Sequence, residues 1–454
     1  MPGRMEFEFD LGGSRKGRER DDSKPMRLLV IGDFSGSPVA ERPPLASRPT
    51  HKVDLDTLDV VMHRLGPRLR MPAGEIAFHK IDDFHPDALF NRVGLFQVLR
   101  QARTHPPAND TAAGNDDVGR LLGAPAKSSA APAAAAAPGA GGIDALIRNA
   151  VAPHIVKDTS SETKSYLAAV DAAIAAEMRT LLHDPAFQAL ESAWRGVQWL
   201  ISNLELDGPL QLHLLDVTRE ELVADVIAAG GKLASTGLYR ALVDRWRNVP
   251  GGEGWSVLAA LFDFGSSTAD VGLLAALGLI ASNAGGPLLA GADPSVAGDD
   301  ESATADWSAL RRSEAAAWIG LAAPRVLLRM PYGKASDPIE AFAFEECLGE
   351  PAPNELLWGS GSLAATLLIG RGFNERGWEM EPGDEREIGD LPAYTFTRDG
   401  ERVMQPCAEQ TLTESQIDSM IKAGLIPIAP RRDRNAVVAI RFQSIADPPA
   451  PLAW

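Results

Sequence analysis

A stretch of alanine, proline and glycine divides this chain and sets the first limit on its fold. Residues 130–142 read Ala-Ala-Pro-Ala-Ala-Ala-Ala-Ala-Pro-Gly-Ala-Gly-Gly and offer no side chain that can build a core. Because proline interrupts a continuous helix, this composition predicts a flexible linker. A coil of about 35 residues reaches roughly 30 to 35 Å, which is enough to join two neighbouring domains. We therefore expect one domain over residues 1–105, a linker over 106–142 and a larger domain over 143–454.

Strand and helix patterns alternate on both sides of this linker. Before it, Met26–Phe34 is a buried-strand pattern ending in a turn, Glu75–Lys80 alternates like a strand, and Val53–Leu69 and Asp87–Gln101 have helical spacing. After the linker, the predicted helices are 161–182, 185–200, 220–229, 271–283, 362–373 and 413–423, and the predicted strands are 210–217, 255–264, 325–329 and 437–442. This alternation predicts an α/β fold, with a small αβ domain and a larger α/β domain.

The overall charge and the cysteine content narrow the function classes. The formal net charge of −17 disfavours nucleic acid and anionic membrane surfaces as partners, because binding to phosphate needs clustered lysine and arginine. Two cysteines cannot form a disulfide framework, so a reducing compartment is expected. The longest apolar stretch, 271–284, is too short and too interrupted to span a bilayer, and residues 1–22 lack the apolar core of a signal peptide. We expect a cytoplasmic bacterial protein without membrane insertion.

The usual signatures of catalysis are missing from the sequence. It contains no GxxxxGK[ST] loop, no GxGxxG after a strand, and no HExxH, GxSxG or EF-hand pattern. Four polar segments are candidates for a site, but each has a structural interpretation. Residues 82–87 and 183–184 are interpreted as helix caps and junctions, and 345–346 as a solvated edge. Residues 431–434 are interpreted as a basic turn that is solvated or contacts an acidic partner. We therefore predict no catalytic residue, no cofactor-binding residue, no metal ligand and no enzymatic activity.

Two segments before the linker, Met26–Gly36 and Ile81–Asp87, and one after it, Leu181–Gly196, resemble the sheath proteins of the bacterial type VI secretion system. Met26–Gly36 and Ile81–Asp87 resemble hallmarks of the small sheath subunit, called VipA, ImpB or TssB. Leu181–Gly196 is similar to the most recognisable segment of the large subunit, called VipB, ImpC or TssC. Further matches to the large subunit follow in order at 307–314, 319–333, 342–346, 357–359, 391–392 and 424–427. The chain thus resembles a small and a large sheath subunit fused in one polypeptide.

The resemblance implies a structural role in a contractile sheath. The expected partners are other copies of the chain in a helical homo-oligomer, an inner-tube protein, baseplate proteins and a sheath-recycling AAA+ ATPase. The first half lacks the carboxy-terminal helix and strand of the small subunit, and the linker stands in their place. The alternative function is therefore a specialised collar, cap or baseplate-proximal adaptor that forms no full contractile tube. An enzyme on the same scaffold is the third hypothesis.

The resemblance also nominates residues for assembly and recycling. In the family, neighbouring protomers exchange strands, and by position the candidate exchanged strands are Met5–Leu11 and Val437–Ser444. Their candidate contact residues are Phe7, Phe9, Val438, Ile440 and Phe442. The segment 142–149 partly resembles the helix that the recycling ATPase contacts, through Ile143, Asp144, Leu146 and Ile147. An ordinary amphipathic helix is the alternative interpretation of that segment.

Overall fold

The computed structural model describes residues 24–72, 74–104, 162–293, 296 and 305–454. The predicted linker, the candidate strand Met5–Leu11 and the candidate ATPase-contact residues Ile143, Asp144, Leu146 and Ile147 lie outside the described residues.

The described residues contain fifteen strands and eleven helices. The strands are β1 (Met26–Gly32), β2 (His51–Val53), β3 (Arg68–Met71), β4 (Gly74–Ala77), β5 (Leu210–Asp216), β6 (Val257–Phe264), β7 (Leu288–Ala292), β8 (Ile319–Ala323), β9 (Val326–Leu327), β10 (Trp358–Gly359), β11 (Glu387–Ile388), β12 (Thr395–Arg398), β13 (Glu401–Met404), β14 (Leu425–Pro430) and β15 (Val437–Ala439). The helices are α1 (Leu58–Leu65), α2 (Pro86–Arg92), α3 (Gln97–Thr104), α4 (Glu162–Leu182), α5 (Pro185–Asn203), α6 (Arg219–Ala228), α7 (Gly237–Tyr239), α8 (Thr268–Ala284), α9 (Ala305–Arg311), α10 (Gly361–Arg376) and α11 (Glu414–Lys422). This mixture confirms the predicted α/β class.

A nine-stranded mixed sheet is the centre of the larger compact unit. Its strand order is β11-β15-β14-β8-β7-β6-β1-β5-β2. The six strands from β14 to β5 are parallel to their neighbours, whereas β2, β15 and β11 pair antiparallel. Strand β1 is buried along almost its whole length, as its continuous apolar sequence requires of a central parallel strand. The first part of the sequence therefore supplies an interior strand, β1, and an edge strand, β2.

Both faces of this sheet are covered by helices. Alternate residues of the central strands, such as Leu29, Leu258 and Ile319, form one apolar cluster with the buried face of α8. Helix α10 packs against strands β6, β7 and β8 and lies outside that cluster. Its Ser362 hydroxyl donates to the carbonyl of Ala260, 2.9 Å away. A parallel sheet with helices on both faces is the arrangement expected of a doubly wound fold.

The chain divides into two compact units whose boundaries differ from the predicted domain boundaries. Among the described residues, the larger unit comprises 24–67, 189–293, 296, 305–330 and 356–454, and the smaller comprises 68–72, 74–104, 162–188 and 331–355. Each unit thus combines residues from both sides of the predicted linker. The boundaries at 105 and 142 stay a prediction about how the sequence is organised.

The smaller unit contains the hairpin β3–β4, helices α2, α3 and α4, and the start of α5. Phe78, Phe84 and Phe187 form its aromatic core, with ring centroids 4.2 to 6.0 Å apart. The carboxylate of Asp87 accepts backbone N–H groups of Glu340 and Ala341 at 3.0 and 2.8 Å. These hydrogen bonds join segments that are about 250 residues apart in sequence within one unit.

Several predicted elements have other bounds in the structure. The helix predicted over Val53–Leu69 is reduced to α1, because Val53 belongs to β2 and Leu69 to β3. The helix predicted over Asp87–Gln101 is interrupted at Val93, whose backbone is extended with φ −77° and ψ 130°. The predicted strands 325–329 and 437–442 shorten to β9 and β15. Helices α4, α5, α6, α8, α10 and α11 lie within three residues of their predicted bounds.

Candidate functional site

The carboxyl ends of β1 and β5 form a buried polar region of the larger unit. Strand order reverses at β1, with β5 on one side and β6 on the other. In open α/β sheets, ligands bind in the crevice at such a reversal, which here lies between β1 and β6 and not at the β1–β5 pair. Here β5 ends at the buried Asp216, and Asp33 follows β1 directly.

Asp216 is the centre of this region. Its Oδ1 accepts backbone N–H groups from Phe34 and Ser35 at 2.8 and 3.0 Å, and its Oδ2 accepts the Ser35 hydroxyl at 2.8 Å. The Arg42 guanidinium bridges the two strand ends, donating to Asp216 at 3.1 Å and to Asp33 at 2.6 Å. Burial raises the pKa of the Asp33 carboxyl, although Arg42 acts in the opposite direction. The adjoining ends of β1 and β5 are therefore joined by the chain's own arginine.

Arg48 makes a second connection between the first and second parts of the sequence. Its guanidinium donates to both carboxylate oxygens of Glu221, at 3.0 and 2.6 Å, and to the carbonyl of Asp216 at 2.7 Å. Glu221 also completes a capping box with Thr218 at the start of α6. Burial raises the pKa of Glu221, but the hydrogen bonds from Arg48 and the Thr218 backbone outweigh it, so this pKa lies below its ordinary value.

The residues Asp33, Arg42, Arg48, Asp216 and Glu221 are called the polar seam from here on. Each of its arginines has a bidentate or bridging contact with carboxylates, which is the geometry that allows buried charges to persist. Removing one partner of such a buried pair costs about 3 to 5 kcal/mol, because the other charge is left unpaired. The polar seam thus has the properties of a structural joint between residues more than 160 positions apart in sequence.

Helix α5 adds a second buried ion pair in the larger unit. The Glu191 carboxylate is fully buried and accepts from Arg195 at 2.6 Å and from Arg329 at 2.9 Å. One turn away, the Trp194 indole donates to the carbonyl of Phe34 at 2.8 Å and packs edge-on against that ring. These contacts connect helix α5 to the end of β1. The start of α5 belongs to Leu181–Gly196, the segment that most clearly resembles the large subunit.

Two of the four polar groups considered from sequence have the predicted structural roles. Asp184 caps α5, because its Oδ1 accepts the N–H groups of Ala186 and Phe187 at 2.9 and 3.0 Å. Within 82–87, Asp83 accepts N–H groups from His79 and Lys80, and the His85 ring caps α2. Among the described residues, no group of three or more histidine, cysteine or acidic side chains is placed to hold a metal ion.

The two remaining groups differ in outcome. The basic turn contacts an acidic residue of its own chain, since Arg431 and Arg434 both pair with Glu387, at 3.0 and 2.8 Å. The solvated-edge interpretation is wrong for Glu346, which is 1% exposed. Its Oε2 accepts the backbone N–H of Tyr332 at 2.7 Å.

The predicted exchanged-strand residues that the structure describes lie in or just after β15. Val438 pairs with Ala429 of β14 and with Glu387 of β11. Ile440 is 36% exposed and donates its backbone N–H to Pro427, and Phe442 is half-buried. Phe7 and Phe9 lie outside the described residues. The polar seam was missed from sequence; its only local signal was an aspartate at the end of each of two apolar strands.

Two family models match the chain, in the order that the resemblance predicts. Residues 3–108 match the family described as type VI secretion system, VipA, VC_A0107 or Hcp2. Residues 164–446 match the family VipB, described as EvpB/VC_A0108, tail sheath N-terminal domain. Within the helices that the structure describes, none has the length and apolar character needed to cross a membrane.

Two curated relatives are type VI secretion sheath proteins, one a TssC and the other a TssB. The chain is 30% identical over 317 residues to the type VI secretion system sheath protein TssC1 of Pseudomonas aeruginosa. This alignment covers 65% of the chain and 63% of the relative. The chain is 28% identical over 112 residues to the sheath protein TssB1 of the same organism, covering 22% of this chain and 64% of the relative. The chain therefore spans somewhat less than two thirds of the length of each relative.

Among solved structures, a cryo-EM structure of the anti-feeding prophage baseplate, 6-fold symmetrised, matches with a TM-score of 0.31 and 16% identity, covering 56% of this chain and 51% of that chain. This similarity is too low to indicate a shared fold. The VipB match covers more than half of the chain, and the VipA match precedes it. The chain therefore belongs to the VipB (EvpB/VC_A0108) tail sheath family and is a fusion of TssB-like and TssC-like sheath segments.

Proposed function

We propose that this protein is a structural component of a type VI secretion contractile sheath that assembles with copies of itself around an inner tube in the bacterial cytoplasm. The observation that carries the proposal is that one sheet contains strands from both the TssB-like and the TssC-like segment. Strand β1 of the TssB-like segment pairs with β5 and β6 of the TssC-like segment, so both segments build one body. A mechanical role is supported further by the polar seam, whose buried ion pairs join the TssB-like and TssC-like segments.

Electron microscopy of assemblies tests this function. The protein is imaged by negative stain alone and with a co-encoded inner-tube protein. Long tubes of uniform diameter are the expected result, since head-to-tail contacts that do not close generate open helices. Rings or monomers under both conditions would contradict the sheath proposal.

A second candidate function is a collar, cap or baseplate-proximal adaptor of the same apparatus. What favours it is the Ala/Pro/Gly-rich segment at 106–142, which stands where the small subunit has its carboxy-terminal helix and strand. Rings that form only with baseplate proteins, and never with the inner-tube protein, would support the adaptor over the sheath.

Strand exchange between copies is proposed for residues 437–444. In one chain, Val438 lies opposite Ala429 on β14. An exchanged β15 would keep this pairing but take β14 from a neighbour, so the main-chain hydrogen bonds would be conserved. The double variant Ala429→Cys/Val438→Cys tests this after assembly and mild oxidation. A ladder of covalent oligomers on a non-reducing gel indicates exchange, and a monomer with an internal disulfide rules it out.

Recycling by an AAA+ ATPase is proposed through Ile143, Asp144, Leu146 and Ile147. Its support is the local resemblance of residues 142–149 to the family's contact helix. A pull-down with the purified ATPase compares the wild-type protein with Leu146→Asp. Loss of binding in the variant is expected, and equal binding would favour an ordinary amphipathic helix.

A further inference from the structure

The smaller unit contains an apolar cavity that the proposed sheath function does not explain. It lies between the hairpin β3–β4, the connection at 93–95 and helix α4, and has a volume of about 160 Å³. Its walls are mostly apolar, from Met71, Ile76, Val93, Leu95 and Leu181. A protein cavity of about this size accommodates a benzene-sized group, which is the size of one large side chain.

Among the described residues, no cation compensates one carboxylate in the wall of this cavity. Glu177, on helix α4, lies in the wall and is half-buried. Within the part of the chain that the structure describes, no hydrogen bond or ion pair reaches its carboxylate, and burial raises the pKa of Glu177. The other acidic residue of the wall, Glu75, lies 3.4 Å from the Arg70 guanidinium.

An apolar cavity with an unpaired carboxylate has a defined chemical complement. Burying the apolar part of a ligand is favourable because it removes apolar surface from water. A cation placed beside Glu177 offsets the desolvation of that carboxylate and forms a charge-assisted hydrogen bond. The complement is therefore an apolar group carried next to a positive charge, as in a protein segment where a large apolar residue adjoins lysine or arginine.

We propose that this cavity is a docking site for a partner protein segment that inserts a large apolar side chain and pairs a lysine or arginine with Glu177. This goes beyond the proposed sheath function, because it requires a site on the smaller unit that takes a basic, apolar segment from another polypeptide.

Small amphiphiles test the chemistry of the site directly. The full-length protein is titrated with 4-phenylbutylamine, 4-phenylbutan-1-ol and 4-phenylbutanoate, and binding is followed by saturation-transfer NMR and calorimetry. We expect saturable binding of the amine, with at least tenfold weaker binding of the alcohol and weaker still of the acid. Equal affinity for the amine and the alcohol, or no saturable binding of the amine, would overturn the proposal.

Two variants and a matched control locate this binding. Glu177→Gln keeps the size of the side chain and should lower amine affinity at least tenfold, to that of the alcohol. Thr180→Phe places a ring at the cavity wall and should weaken all three probes. Glu75→Gln removes a carboxylate that already pairs with Arg70 and should change the affinity for the amine less than twofold. Unchanged amine binding by Glu177→Gln would exclude the carboxylate as the recognition group.

A cross-link identifies the source of the occupant. A photoreactive benzoylphenylalanine replaces Thr180 in the full-length chain, and cross-linked peptides from producing cells are sequenced. We expect a segment of another polypeptide with an apolar residue beside lysine or arginine. A cross-link to the same chain, or to a segment without a basic residue, would overturn the proposal. Tube formation is measured separately on the same samples, so tubes without probe binding refute the docking site alone, and binding without tubes refutes the sheath function alone.

Discussion

Acidification should destabilise the protein through the buried ring of His213. This residue lies on β5 with only 5% of its surface exposed, between the Trp246 and Trp255 rings at centroid distances of 5.6 and 5.2 Å. Burial lowers the pKa of His213 to about 4 from an ordinary value of 6.5, and the neighbouring Arg27 and Lys52 act in the same direction. The folded protein therefore favours the neutral ring.

The size of the effect follows from the difference between these pKa values. A pKa that is lower in the folded state means that the unfolded chain binds the proton more tightly. The neutral ring contributes its full stability above pH 6.5, and this contribution is lost as the pH falls from 6.5 towards 4. At 1.36 kcal/mol per pH unit, a fall in the pKa from 6.5 to about 4 corresponds to about 3 kcal/mol, most of which is lost by pH 4.

Denaturant unfolding at several pH values measures this contribution. The free energy of unfolding is followed by tryptophan fluorescence for the wild-type protein and for His213→Phe, which keeps an aromatic ring but cannot be protonated. Between pH 7 and pH 4, the wild type should lose about 3 kcal/mol more than the variant. The matched control His63→Phe replaces an exposed histidine and should follow the wild-type curve. Parallel curves for the wild type and His213→Phe would refute the reasoning.

Two further predictions concern packing in the larger unit. Glu191→Ala should lower the free energy of unfolding by about 3 to 5 kcal/mol, because it removes the carboxylate that pairs with the buried Arg329 guanidinium. Adding Arg329→Met should recover much of the loss in the same urea titration. Gly286→Ala should lower the free energy of unfolding by about 1 to 3 kcal/mol in thermal unfolding, because the new Cβ would lie 2.1 Å from the backbone oxygen of Ser256. The control Gly208→Ala should change the melting temperature little, because no heavy atom lies within 4 Å of its new Cβ. A stable Glu191→Ala protein, or equal effects of the two glycine substitutions, would contradict these predictions.

Much of the local structure could be predicted because it depends on neighbours in sequence. The apolar run that forms β1 and the Asp-Pro start of α5 carry their signals within a few residues. The prediction over Val53–Leu69 is wrong because apolar spacing alone did not separate a short edge strand from the helix that follows it. The backbone ends that helix at Gly66, which adopts the left-handed conformation with φ 60°.

The candidate site was far less predictable, because its residues meet only after folding. Arg42 and Asp216 are 174 positions apart, and neither belongs to a motif that signals an ion pair. Glu346 sits beside Glu345, and this acidic pair was interpreted as a solvated edge, yet the Glu346 carboxylate is buried and accepts the Tyr332 backbone N–H. Local composition cannot indicate which charges become buried, because burial depends on which distant segments pack over them.

By itself, the sequence determined the element types, the α/β class, the compositional break before residue 143 and, through ordered local resemblances, the sheath family. These properties are encoded in periodicity and in short segments. Tertiary structure alone decided that β1 lies between β5 and β6 and that each compact unit draws on both sides of the predicted linker. The physical reason is that strand pairing and core packing are selected by contacts between distant residues, whose gain exceeds the entropy of closing the intervening chain.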